Sequence, residues 1–256
     1  MTTVNITTPN EKRIFGTEFN HLSEVDSTNN YTAKAFLNKE IGAGAVILAD
    51  NQSSGKGQRG NVWLANSGEN LLISFLFCPD NLSVYQQSAL TWATSLAVWT
   101  TLDYFNIAAQ IKWPNDVLVN GKKIAGILIE NSLSQQRIER SIIGIGLNVN
   151  QNHFENLPAT SMCRERNSTF ERTVVLNSLV ERMNQFFSEI EKYNFSELKK
   201  RYLEQLYLLR EPHTFEDENG IFQGEILGVS DEGLLLVNRA GRMVSYGVKE
   251  IKLVKN

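Results

Sequence analysis

Between Gln52 and Trp63 the chain reads Gln-Ser-Ser-Gly-Lys-Gly-Gln-Arg-Gly-Asn-Val-Trp, placing glycines at 55, 57 and 60 among the cations Lys56 and Arg59. Glycines leave backbone amides uncovered and free to take positive φ, and lysine and arginine add charge, so the chemistry on offer is contact with a negative oxygen. Gly55, Gly57 and Gly60 also spell a formal dinucleotide fingerprint. That fingerprint requires a helix opening at the third glycine. Here Asn61-Val62-Trp63-Leu64 leads instead through Asn66-Ser67-Gly68-Glu69-Asn70 into an apolar run, and no Gly-Lys-Ser/Thr follows as a Walker A loop would need. The bland alternative is a flexible basic loop with glycines for its turns.

Further stretches carry polar residues where elements begin or end. Asp26-Ser27-Thr28-Asn29 precedes a short helical pattern through Tyr31, Ala35 and Phe36, so one of the four is expected to cap it. Lys112-Trp113-Pro114-Asn115-Asp116 contains a proline that cannot donate to a ladder, which predicts a strand end or bulge. Asn120-Gly121 between two β-rich runs predicts a two-residue type I′ hairpin, with Lys123 early on the returning strand. Ser141 to Asn150 reads as a strand whose glycines, Gly144 and Gly146, signal close approach to its backbone.

The elements that must hold these residues follow from periodicity. Ala45–Ala49 and Leu71–Phe77 read as buried strands on either side of the glycine loop. Ser83 and Gln86 fit a capping box opening a helix through Ala89, Ala93, Leu96 and Ala97. Leu176, Leu179, Val180, Met183, Phe187 and Ile190 mark a long amphipathic helix; Phe195, Leu198, Tyr202, Leu206 and Leu209 mark another. Residues 151–167 read as an irregular connector. Beyond Pro212 the pattern changes to short strands broken by Asn219-Gly220, Asp231-Glu232-Gly233 and Ala240-Gly241, which predicts a small all-β module over 212–256 after a larger domain over 1–211.

With 256 residues and 42% hydrophobic content, the chain buries a sizeable core. A net charge of −3 argues against wholesale attraction to nucleic acid and confines any anion site to a local patch. Cys78 and Cys163 have neither metal-site nor redox spacing, so two reduced thiols are expected. A polar Met1–Asn10 and the lack of a long apolar run make the cytoplasm the expected location, with no membrane partner.

In this order, Asp26-Ser27-Thr28-Asn29, Gln52 to Gly60 with Trp63, Lys112 to Asp116, Lys123-Ile124-Ala125-Gly126-Ile127-Leu128 and Gly144 to Asn150 resemble the motifs of the biotin–protein ligases. The resemblance implies an α+β fold: a mixed or antiparallel sheet with helices, of the class II aminoacyl-tRNA synthetase-like kind, plus a small C-terminal SH3-like β-barrel. It implies biotin and ATP as substrates, Mg²⁺ to shield the triphosphate, and a biotin carboxyl carrier domain as acceptor, in a monomer or homodimer. Lys123, Lys56 and Asp116 become the catalytic candidates, with Arg59 near the same loop. Ser27, Thr28, Asn29, Gln52, Gly55, Gly57, Gln58, Trp63, Gly126 and Asn148 become candidates for holding biotin or its adenylate. The resemblance names no metal ligand.

This chain has Lys56 and Gln58 where the family pattern Gly-Arg-Gly-Arg-Arg-Gly has its first two arginines, which keeps one charge and loses the bidentate forks. Some family members begin with a winged helix-turn-helix that binds DNA; with the first motif at Asp26, no such domain and no DNA binding are expected. The same superfamily includes lipoate and octanoate ligases and transferases, whose extended acyl chains favour a more apolar pocket. A non-catalytic single-strand nucleic-acid binder with Trp63 as stacking platform is the reading from another class.

Overall fold

The computed structural model describes residues 13–155 and 157–254, and the backbone alone of Arg59. The Met1–Asn10 stretch lies outside the described residues. Strand β1 (Glu18–Val25), helix α1 (Thr28–Leu37), β2 (Ala45–Gln52), β3 (Leu71–Phe77) and β4 (Leu82–Ser83) lead into helix α2 (Ser88–Tyr104). Then come β5 (Gln110–Lys112), β6 (Asp116–Val119), β7 (Lys122–Ser134) and β8 (Arg137–Leu147). Helices α3 (Met162–Arg166), α4 (Arg172–Glu191) and α5 (Phe195–Glu204) follow, and β9 (Pro212–Asp217), β10 (Gly220–Val229), β11 (Leu235–Arg239), β12 (Arg242–Tyr246) and β13 (Lys252–Leu253) close the fold.

The large sheet has eight strands in the order β1-β2-β3-β8-β7-β6-β5, with β4 against β8. Only its β1–β2 pair is parallel, so the predicted mixed sheet is what forms. Side chains alternate across it. Ala45, Ile47, Leu76 and Ile142 meet α1 through Ala35, while Val46, Leu48, Ile73, Phe75, Ile143 and Ile145 join the larger core shared with α2 and α4. An edge-to-face cluster of Phe15, Phe75, Phe77 and Phe187 ties the chain before β1 to the sheet and to α4. The second sheet, β12-β11-β10-β9-β13, has five antiparallel strands, in keeping with the SH3-like expectation. Phe215, Ile226, Val237 and Tyr246 carry the same apolar core into it.

Several expectations need correcting. Ser27 occupies the N-cap position of α1, but its hydroxyl makes no capping bond, and Asp26 accepts from the Asn30 amide instead. The Ser83/Gln86 box is formed, though on a one-turn 3₁₀ lead-in, and α2 begins only at Ser88. Helix α5 stops at Glu204: Leu206 and Leu209 keep the helical spacing but make isolated β-bridges to Ile111 and Ile226. Residues 162–166 of the supposed connector are helical, capped by the Ser161 hydroxyl. Cys78 and Cys163 are free thiols. Among the described residues no helix is long and apolar enough to cross a membrane.

Candidate active site

Strand β2 releases the chain at Gln52 into the glycine loop, which folds back on itself as a small hairpin. Gly57 N–H donates to Asn61 O at 2.7 Å, Trp63 N–H donates to Gly55 O at 2.9 Å, and Lys56 bridges Val62. Of the three glycines only Gly60, at φ +85°, sits in the left-handed region; Gly55 is needed for space, since a Cβ there would stand 2.6 Å from Trp63 O. A single 3₁₀ turn at Gln58–Gly60 leads into extended backbone at Asn61, so no helix opens at the third glycine and the dinucleotide reading fails. Arg59's side chain lies outside the described residues.

The hairpin lays the Trp63 indole across β7 and β8. Gly126 and Gly146 are paired residues on those strands, and a Cβ on Gly126 would come within 2.8 Å of the ring, with the same ring closer still over Gly146. Glycine is required here by close approach, as the strand pattern predicted. Two residues along, Gly144 leaves room for the Asn29 amide, whose Oδ1 would stand 2.6 Å from an added Cβ. The ring faces inward over this glycine floor; a stacking platform for nucleic acid would need it presented to solvent.

Lys123 reaches the same face through an irregularity that alternation does not foresee. Leu118 pairs with Lys123 and Val117 with Ala125, so Ile124 is an extra residue in β7. In a regular strand Lys123 and Gly126, an odd number of residues apart, would point to opposite faces; the bulge brings them together. Lys123 Nζ lies 2.6 Å from Asp116 Oδ1 and 5.3 Å from the centre of the Trp63 ring. Asn120 and Gly121, at φ 50° and 73°, make the predicted hairpin turn, and Lys122 is left exposed. Lys112 pairs with Asp116 across the Trp113-Pro114-Asn115 turn, whose Trp113–Pro114 bond is cis. Trp113 Nε1–H donates to Gly233 O at 2.9 Å, fastening that turn to the small sheet.

These elements enclose a cavity of about 800 Å³, within the range of small-ligand sites. Of the residues nominated from sequence, Ser27, Thr28, Asn29, Gln52, Lys56, Gly57, Gln58, Trp63, Asp116, Lys123 and Gly126 line it. Gly55 is buried behind Trp63. Asn148 is also buried: its Nδ2 donates to Thr160 O, and its Oδ1 has no hydrogen-bond partner among the described residues. Among the described residues the lining ammonium groups are Lys56, Lys112, Lys123, Lys249 and Lys252, and the one lining carboxylate is Asp116. Five cations against one anion suit a polyanionic ligand.

Sequence reasoning missed Lys249 and Lys252, because nothing in their neighbourhood shows that the loop after β12 and strand β13 lean over the site. It also missed Ser74, an interior residue of β3 whose Oγ lies 2.7 Å from Thr28 Oγ1 and 2.6 Å from Asn29 Oδ1. A polar residue within Leu-Leu-Ile-Ser-Phe-Leu-Phe was the available signal.

Residues 22–148 match the Biotin/lipoate A/B protein ligase family, the segment that supplies most of the cavity's loop and floor. The Bifunctional ligase/repressor BirA of Bacillus subtilis is 30% identical over 234 residues, covering 89% of this chain and 70% of that protein. The structure of the biotin protein ligase from Aquifex aeolicus in complex with biotin and ATP superposes with a TM-score of 0.76 at 28% identity, covering 94% of this chain and all of that one. The Biotin--[acetyl-CoA-carboxylase] ligase of Paracoccus denitrificans is 30% identical over 233 residues, or 87% of this chain and 95% of the relative. Identity at that level, sustained over nearly the whole of that ligase, shows that the chain belongs to the biotin–protein ligase family.

Proposed function

We infer that the chain activates biotin with ATP as biotinyl-5′-AMP and passes the biotinyl group to a lysine of a biotin carboxyl carrier domain. The observation that carries this reading is one cavity that combines a glycine-floored slot under Trp63 with, among its described lining residues, five ammonium groups and the Asp116 carboxylate. The slot suits the fused ring and valeryl chain, and the ammonium groups suit the triphosphate.

In the first step a biotin carboxylate oxygen attacks the α-phosphorus, the bond to the β-phosphate bridging oxygen breaks, and pyrophosphate leaves. Two anions approach each other, so fixed positive charge placed where charge develops lowers the barrier. Lys123 is held for that role by Asp116 at 2.6 Å and by the Trp63 face. Lys56, anchored by donating to Asn30 Oδ1 at 2.6 Å, lines the same cavity. In the second step a neutral acceptor amine attacks the acyl carbon and AMP departs; with Trp63 over the slot, water has less access to the mixed anhydride. Asp116, the one carboxylate among the described lining residues, would hold a Mg²⁺ carried in on the triphosphate. When bound, it shields phosphate charge.

The same reading assigns 1–211 to the ligase domain and 212–256 to the small β domain, supported by the opening of β9 at Pro212. Pyrophosphate release measured with biotin, lipoate and octanoate in parallel, followed by labelling of a carrier domain, tests the function. Release with biotin alone is expected. Release with lipoate or octanoate and none with biotin would move the chain to the other specificity of its family.

A further inference from the structure

Strand β8 ends at Leu147, opposite Ala125, so the backbone of Lys123 needs another neighbour on that side of β7. Residues 158–160 supply it. Lys123 N–H donates to Pro158 O at 2.8 Å and Lys123 O accepts from Thr160 N–H at 2.9 Å, which makes a parallel bridge between Lys123 and Ala159. The bulged Ile124 is tied beside it, its carbonyl accepting from Asn148 N–H at 2.9 Å. The backbone that aims the Lys123 ammonium is therefore fixed from outside the hairpin that carries it.

This strap needs an anchor of its own, since Pro158 is exposed and Ala159 only half-buried. Asn148 Nδ2 donates to Thr160 O at 2.9 Å. The other hold is Glu165 on α3: its Oε1 accepts from the buried Thr160 hydroxyl at 2.5 Å, and its Oε2 accepts from Asn120 Nδ2 at 3.3 Å, in the turn that leads into β7. Hydrogen bonds to a carboxylate are the stronger kind. One carboxylate thus spans both supports of the Lys123 backbone, the strap beside it and the turn ahead of it. Neither Glu165 nor Thr160 is among the described residues that line the cavity. We infer that Glu165 is a positioning residue for Lys123, acting through Thr160 and Asn120 without touching the ligand. This rests on the adenylation role given to Lys123 above and deepens it. A bond that served α3 alone would reach Thr160 and stop there; the second bond, to Asn120, and the bridge from the strap to Lys123 connect it to the chemistry.

The test is a double-mutant cycle in single-turnover pyrophosphate release with biotin, run on the whole chain, with the parent and Lys123→Ala measured first. Glu165→Ala is expected to slow release about tenfold to a hundredfold in the parent background, as a small misplacement of a reacting group does. In Lys123→Ala, where no ammonium is left to misplace, the same substitution should cost less than about twofold, whereas a merely structural role would cost the same in both. Glu165→Gln keeps an acceptor for the Thr160 hydroxyl and should recover most of the rate; Thr160→Val, which removes that hydroxyl, should lose it as Glu165→Ala does. Hydrogen exchange gives a readout apart from activity: the Lys123 and Thr160 amides should exchange faster in Glu165→Ala, and the amides of β3 should not. Equal slowing in both backgrounds, an unchanged rate in Glu165→Ala, or unchanged exchange at Lys123 would overturn the role. Should Glu165→Ala fail to fold, Thr160→Val carried through the same cycle decides. A parent that releases no pyrophosphate with biotin would overturn the ligase reading, and this role with it.

Discussion

Replacing Lys123 by alanine separates what this side chain does for chemistry from what it does for the fold. Its partner is Asp116, and with the two side chains 36% and 24% exposed such a pair contributes no more than about 1 kcal/mol. For a chain of this size that is a Tm decrease of about 2–4 °C. Its proposed part in the transition state is larger, because a charge-assisted contact to developing phosphate charge is typically worth about 2.7–4 kcal/mol, a hundred- to thousandfold in rate. Lys122 is the internal control: one residue earlier on β7, paired with Val119 and exposed, it stands ahead of the bulge that aims Lys123 inward. Single-turnover pyrophosphate release, with Tm recorded alongside, should therefore fall at least a hundredfold in Lys123→Ala and less than about twofold in Lys122→Ala. Equal slowing in both variants would refute the assignment. So would a Tm loss in Lys123→Ala large enough to account for the lost rate.

Gly146→Ala should weaken biotin binding more than tenfold, an effect of roughly 1.4 kcal/mol or more, because its methyl enters the space held by the Trp63 ring; calorimetry at unchanged Tm checks it. The loop from Gln52 to Ser67 is expected to gain hydrogen-exchange protection when biotin binds, and Gly57→Val, whose Cβ would already stand 3.2 Å from Asn61 O, is expected to release the adenylate early; equal protection in both states counts against closure. Asp50 offers a pH test: burial pushes its carboxyl up, but Arg172 at 2.5 Å and His21 at 3.0 Å outweigh that and hold it below the usual range. A lowered folded pKa contributes stability that is complete above the unfolded value and is lost as pH falls through the folded one. Asp50→Asn should therefore cost about 1 kcal/mol in urea unfolding at pH 7, and that difference should shrink below about pH 4.

What was legible in the sequence is what local chemistry dictates. Asn120-Gly121 announces its turn because few other pairs accept positive φ twice in succession. Gly144 and Gly146, spaced to share a face, announce close approach without saying by what, and the answer is the Asn29 amide and the Trp63 ring. Leu206 and Leu209 misled because burial against a strand and burial against a helix face ask for the same residue type. The inward aim of Lys123 rests on a bulge at Ile124, which no apolar pattern marks. Lys249 and Lys252 were invisible for a different reason: their place at the site depends on how one sheet leans on another, and that information is not local.

Because one wall of the cavity comes from the small sheet, through Phe215, Ile226, Leu235, Lys249 and Lys252, ligand occupancy and attachment of that sheet are thermodynamically linked. A ligand that touches both sides favours the attached arrangement by RT ln(1 + [L]/Kd), and by reciprocity whatever holds the sheet in place tightens the ligand by the same factor. The Trp113–Gly233 hydrogen bond at 2.9 Å then contributes to ligand affinity by holding that wall in place, besides any contact Trp113 makes as a lining residue. Loosening it with Trp113→Phe would be felt as weaker nucleotide binding, and saturating nucleotide would restore the lost attachment.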